Sequence, residues 1–155
     1  MLPLTGEKKP VPFPRTGPRE GLGKFSPDGH WVAYVSTESG QPEIYVRSFS
    51  MNAAETEVEP GGKWQVSNGL ALAPRWRSDG RELYYASFDG TVMAVEIETN
   101  PAFRAGKPHP LAFRLGIYFD PWDSAADGKR FLALAGTTGP ESFTVVANWQ
   151  TGLGK

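Results

Sequence analysis

The residues with the most chemical promise sit three in a row. Arg75 and Arg77 flank Trp76. In a strand, alternate side chains share a face, so the two guanidinium groups project together and the indole projects the other way. Two arginines side by side can grip a carboxylate through parallel N–H···O bonds. With Trp122 they form a candidate ligand site, Arg75, Arg77 and Trp122, for an acidic group on a peptide or small acid. The competing reading is that the arginines pair with Asp79 or Glu82, and the nearness of those acids favours it.

No set of residues points to catalysis. Gly21-Leu22-Gly23 lacks the third glycine of a dinucleotide loop, and no Gly-x-Ser-x-Gly nucleophile turn occurs. His30 lies in a turn and His109 between two prolines, neither with a partner at ligand spacing, so no metal is expected. Asp120, Asp123 and Asp127 do not follow the twelve-residue calcium-loop pattern and read as turn caps. Glu55, Glu57 and Glu59 read as a solvated loop. The chain is expected to be non-catalytic, with no cofactor.

The elements that would position these residues come from a repeated phrase. Phe25-Ser26-Pro27-Asp28-Gly29 leads into the strand from Trp31; Trp76-Arg77-Ser78-Asp79-Gly80 leads into Glu82 to Ser87; Ser124-Ala125-Ala126-Asp127-Gly128 leads into Arg130 to Leu134. Each is a tight turn, in which Asp bonds its own backbone and Gly accepts a positive φ, followed by an apolar strand. Asp28, Gly29, Asp79, Gly80, Asp127 and Gly128 are therefore structural turn residues. The aspartates are 51 and 48 residues apart. Short strands repeating at that period are the signature of propeller blades.

The expected fold is all-β, with about three four-stranded antiparallel blades, half of a six-bladed ring. Residues 1–20 form a leader with a spare outer strand, 21–67 the first blade, 68–113 the second, and 114–155 an incomplete third. Inner strands are expected at Leu22–Phe25, Ala73–Arg77 and Ile117–Asp123, and outer strands at Lys63–Ser67 and Lys107–Phe113. The leader carries prolines at 3, 10, 12, 14 and 18, which exclude helix. Its Leu2–Leu4 and Pro10–Phe13 segments read as edge strands. Pro10–Phe13 is expected to pair with a Phe143–Trp149 strand, within one chain or across two. A homodimer completing the ring, or a missing upstream half-propeller, would supply the other blades.

Bulk properties narrow the partners. With 16 basic and 17 acidic residues the net charge is −1, which gives no basic face for nucleic acid. There is no cysteine, hence no disulfide and no thiolate chemistry. No apolar run is long enough to span a membrane, and no direct membrane contact is expected.

The phrases Phe25-Ser26-Pro27-Asp28-Gly29, Ile44-Tyr45-Val46 and Gly61-Gly62-Lys63-Trp64-Gln65-Val66-Ser67 resemble the TolB-type β-propeller repeat. The run from Pro74 to Tyr85, Met93-Ala94-Val95 and the ending Thr144 to Trp149 are similar to the propeller half that follows many bacterial serine/threonine protein kinases. The resemblance covers nearly the whole chain. It departs at the longer loop Ser50–Glu59 and at Ser124-Ala125-Ala126, where a Ser-Pro turn is expected. It implies a sensor or binding module for a protein or peptide, in a periplasmic or extracytoplasmic setting. The kinase motifs themselves do not occur in this sequence. The alternative is the gating propeller of a prolyl-oligopeptidase-type serine peptidase, its catalytic domain lying outside this chain.

Overall fold

The computed structural model describes residues 9–14, 19–54, 56–59, 61–116, 122–135 and 142–147. The described elements are all strands, in three antiparallel sheets. The first blade runs β1 (Glu20–Phe25), β2 (Trp31–Ser36), β3 (Glu43–Ser48) and β4 (Lys63–Gln65), in that spatial order. The second is β5 (Ala71–Trp76), β6 (Glu82–Ser87) and β7 (Thr91–Glu98), with β8 (Arg104–Ala105) and β9 (His109–Arg114) both paired to β7. The third is β10 (Trp122–Ser124), β11 (Arg130–Ala135) and β12 (Ser142–Ala147).

Blade stacking explains the apolar runs of β6 and β7, which are covered on both faces by the first and third blades. In β3, Ile44 and Val46 enter the core between the first and second blades, while Tyr45 turns to the outer face of the first. In β7, Val95 and Ile97 face the first blade, and Val92 and Ala94 face the third. Phe131 and Ala133 of β11 close that second core with Trp122.

Each of the first two inner strands contains a bulge the sequence did not announce. Register shifts by one residue between Gly21 and Lys24 and between Leu72 and Arg75. Leu22 (φ 55°) and Ala73 (φ 52°) take left-handed backbone there. The strands accordingly begin earlier than Leu22 and Ala73. The bulge also breaks the side-chain alternation: Ala71 joins the core toward the first blade, but Ala73 joins the core toward the third.

Three other expectations change. The outer strand of the second blade starts at His109 rather than Lys107, and β8 forms a separate short piece before it. Pro108 has no N–H to give a ladder, which divides the row. β4 ends at Gln65, where Ser67 Oγ accepts the Ile44 N–H at 2.8 Å. Residues 9–14 form no strand, and the only described partner of β12 is β11 (Arg130–Ala135), so Pro10–Phe13 does not pair with it within this chain. Prolines at 10, 12 and 14 remove alternate donors from that segment. Leu2–Leu4, Ile117–Pro121 and Asn148–Trp149 lie outside the described residues.

Candidate binding cleft at the Asp-Gly turns

The repeated phrase builds the same turn three times. Gly29 N donates to Ser26 O, Gly80 N to Arg77 O and Gly128 N to Ala125 O, each at 2.9 Å. The Asp carboxylate then accepts the amide two residues on: His30 N to Asp28 and Arg81 N to Asp79 at 3.0 Å, and Lys129 N to Asp127 at 2.9 Å. Gly29, Gly80 and Gly128 have φ of 75°, 71° and 64°. The aspartates are thus occupied by backbone, as their recurrence in every repeat implied.

The turns sit side by side at one end of the blades. Ser78 Oγ donates to Ala126 O at 2.5 Å, and a Cβ at Gly80 would lie 3.9 Å from Pro27. The side chain in front of each turn differs and so does its bond. Ser26 donates to Asp28 at 2.5 Å and accepts from Trp31 N at 3.0 Å. Burial works against charge on Asp28, yet the bonds from Ser26 and His30 hold its pKa below the ordinary carboxylate value. Arg77 forks onto both oxygens of Asp79 at 2.7 Å and reaches Glu82 at 2.7 Å. The Arg77 bonds hold Asp79 down at about 2. Tyr84 donates to the same Glu82 at 2.6 Å, and burial followed by the Glu82 bond pushes its phenol well up.

Arg75 and Arg77 do share a face, and Trp76 takes the other. Arg75 turns into the seam with the third blade, where Nε donates to Trp122 O at 2.9 Å and the guanidinium lies 5.5 Å from the Trp122 ring centroid. Nη1 donates to Pro74 O at 2.9 Å. Trp76 Nε1 reaches back to Lys24 O of the first blade at 3.1 Å. Of the three candidate residues, Arg75 and Trp122 link the second and third blades, while Arg77 is held within its own blade by Asp79 and Glu82, the acids named beside it.

Between the first and second blades, at this end, opens a cleft of 870 Å³. Trp31 and Trp76, both half-buried, line it, with Arg77, Arg81, Glu96 and Glu98. Trp31 is held edge-on to Trp64 at 5.5 Å and against Phe103 at 5.0 Å, which fixes its ring. Asp79 and Glu82 are matched by Arg77, so Asp28, Glu96 and Glu98 outnumber Arg81 among the remaining charges on the cleft. Trp31 and Arg81 were not singled out from sequence. The available signal was position: each follows an Asp-Gly turn by one or two residues. Among the described residues, no group of three or more His, Cys, Asp or Glu is placed to hold a metal ion.

No family model matches the chain. Among solved structures it is similar to TolB from Acinetobacter baumannii, with 15% identity over 84% of this chain and a TM-score of 0.36. The chain spans 41% of the length of that protein. No helix among the described residues is long and apolar enough to cross a membrane.

Proposed function

We propose that this chain is a non-catalytic recognition module whose cleft at the Asp-Gly turns takes an extended protein or peptide segment bearing a basic side chain. The observation that carries the reading is the cleft itself: two fixed indoles beneath a rim on which carboxylates exceed cations. Indole faces and nearby carboxylates suit a lysine or arginine, through cation–π contact and charge. Rigid strands holding a wall of turns suit recognition. The kinase-linked phrases in the sequence add a setting, an extracytoplasmic sensor of a bacterial membrane kinase. Kinase motifs encoded in the same reading frame would support that setting.

The test is a phage-displayed peptide library panned on the immobilised chain, followed by calorimetry on the enriched peptides. Enriched peptides should contain Lys or Arg, and Trp76→Ala or Arg81→Glu should change their affinity by roughly tenfold or more, the size expected for a central contact. Phe88→Ala, at the opposite end of β6, should leave binding unchanged. Failure to enrich any peptide, or enriched peptides indifferent to both cleft substitutions, would refute the reading.

A further inference from the structure

A second repeat runs through the outer strands. Phe13, Trp64 and Phe113 are 51 and 49 residues apart, nearly the spacing of the Asp-Gly turns. The structure gives the three rings the same job. Trp64, on the outer strand of the first blade, packs across the seam against Phe103 of the second, with centroids 4.7 Å apart. Phe113, on the outer strand of the second blade, packs across the next seam against Phe131 of the third at 4.8 Å. Phe13 lies on the outer face of the first blade, 5.8 Å from Tyr34 and 6.5 Å from Phe49. Phe49 directly follows β3, and Phe103 lies in the link between β7 and β8. Val11 beside it is buried, and Arg47 Nη1 donates to Pro14 O at 3.1 Å. The leader thus occupies the place that the outer strand of a preceding blade would occupy.

Among the described residues no other strand covers that face. β1 is exposed at five of its six positions, whereas β5, its counterpart one repeat later, is exposed at none. Leu22 and Phe25 are 48% and 49% exposed. A groove of 380 Å³ lies between Phe13, β1, Val32 and Tyr34. Val32 and Tyr34 correspond, one repeat on, to Leu83 and Tyr85, which the first blade buries. At the far flank Phe131 and Ala133 face the second blade, so Leu132 faces away, and it is 45% exposed. Its counterparts Tyr84 and Ala33 are the residues that the next blade covers.

We infer that two copies of this chain assemble head to tail, the third blade of one seating on the first blade of the other, and that residues 10–14 of each copy add the outer strand to β12 of its partner. The contact repeats the geometry of the two seams inside the chain. The face offered outward by the third blade is the kind that the first two use against their successors. The face offered by the first blade is the kind that the second and third use against their predecessors. A heterologous contact of this type, made twice about a two-fold axis, closes on itself. The prolines at 10, 12 and 14 fall on alternate positions, so they leave the Val11 and Phe13 side able to donate to an exposed edge, as an edge strand requires. The inference stands apart from what the cleft binds.

Sedimentation equilibrium should return twice the single-chain mass of 16.9 kDa. Deleting residues 1–14, or the single change Phe13→Glu, should return the single-chain mass with an unchanged far-ultraviolet strand spectrum. The chain has no cysteine, so engineered ones report unambiguously. Pro10→Cys or Pro12→Cys chains, mixed with Thr144→Cys or Val146→Cys chains and oxidised, should give a disulfide-linked pair between the two kinds. That cross-link decides the matter even if both leader variants fail to fold. A monomeric wild type, a dimer that survives loss of the leader, or oxidised mixtures that give no disulfide between the two kinds of chain would overturn the inference.

Discussion

Asp79 shows how one turn side chain can serve geometry and electrostatics together. Its carboxylate accepts the Arg81 amide and both arms of Arg77, and its pKa falls from 3.8 to about 2. A carboxyl whose pKa is lower folded than unfolded contributes stability above the unfolded value and loses it as pH falls through the folded one. The window here is therefore about pH 4 down to about pH 2. Asp79 is 45% exposed, so screening keeps the contribution small. Asp28 and Asp127 are shifted the same way, and Asp89 is held at about 2 by Ser87 and Thr91, so wild type should lose stability on acidification in any case. The prediction is comparative: urea midpoints measured from pH 5 to pH 2 should fall less steeply in Asp79→Asn than in wild type. Equal slopes would mean that the Arg77 fork contributes nothing to folding.

At the scale of the element, the hairpin joining β6 to β7 depends on a contact that the Asp-Gly signal does not reveal. Gly90 has φ 84°, and a Cβ there would sit 2.8 Å from the Leu115 carbonyl oxygen. Leu115 N donates to Gly90 O at 2.8 Å, so the chain after β9 is tied against the hairpin. Gly40, at φ 97°, would place its Cβ in open space. Gly40→Ala therefore carries backbone strain alone, about 1 kcal/mol, while Gly90→Ala adds a backbone clash and should cost about 2–3 kcal/mol. Denaturant midpoints of the two variants should separate accordingly. Buried polar chemistry works at this scale too. Glu43, 3% exposed, accepts from Gln41 at 3.0 Å and from the Gly69 amide at 3.1 Å, and Gln65 bonds its other oxygen. That satisfied network ties the start of β3 to β4 and to the link between blades.

Across the whole molecule, the two end blades differ from the middle one in what they leave uncovered. Leu83 and Tyr84, on opposite faces of β6, are both fully buried, whereas Leu132 is 45% exposed on the third blade. Placing a charge at Leu132 asks whether that face is covered in solution. Leu132→Asp should abolish the sedimentation dimer while leaving the thermal unfolding of the single chain within about 0.5 kcal/mol of wild type, as expected for an open surface site. A large loss of stability would mean that Leu132 is packed within its own chain. Retention of the dimer would place the interface elsewhere.

Local chemistry made the turns legible. Asp-Gly followed by an apolar strand has one comfortable backbone solution, and Asp28, Asp79 and Asp127 adopt it with the same bonds. The middle strands were legible as well: β6 and β7 run from Glu82 to Ser87 and from Thr91 to Glu98, where aromatic and β-branched residues had placed them. Only tertiary structure decided which side chains meet across a seam. A one-residue bulge at Ala73 reverses the faces of everything before it, and no residue type there signals a positive φ. For that reason the spacing of Arg75 and Arg77 gave their common face, and Trp122, grouped with them from sequence, does lie beside Arg75, but its place in the seam between blades and the indole-lined cleft on the other side of β5 came only from the tertiary structure. The leader shows the same division. Its prolines rule out helix from sequence alone, but the role of Phe13 emerges only when Trp64 and Phe113 are seen packing across successive seams, because a side chain's partner is set by blade stacking rather than by its own stretch of chain.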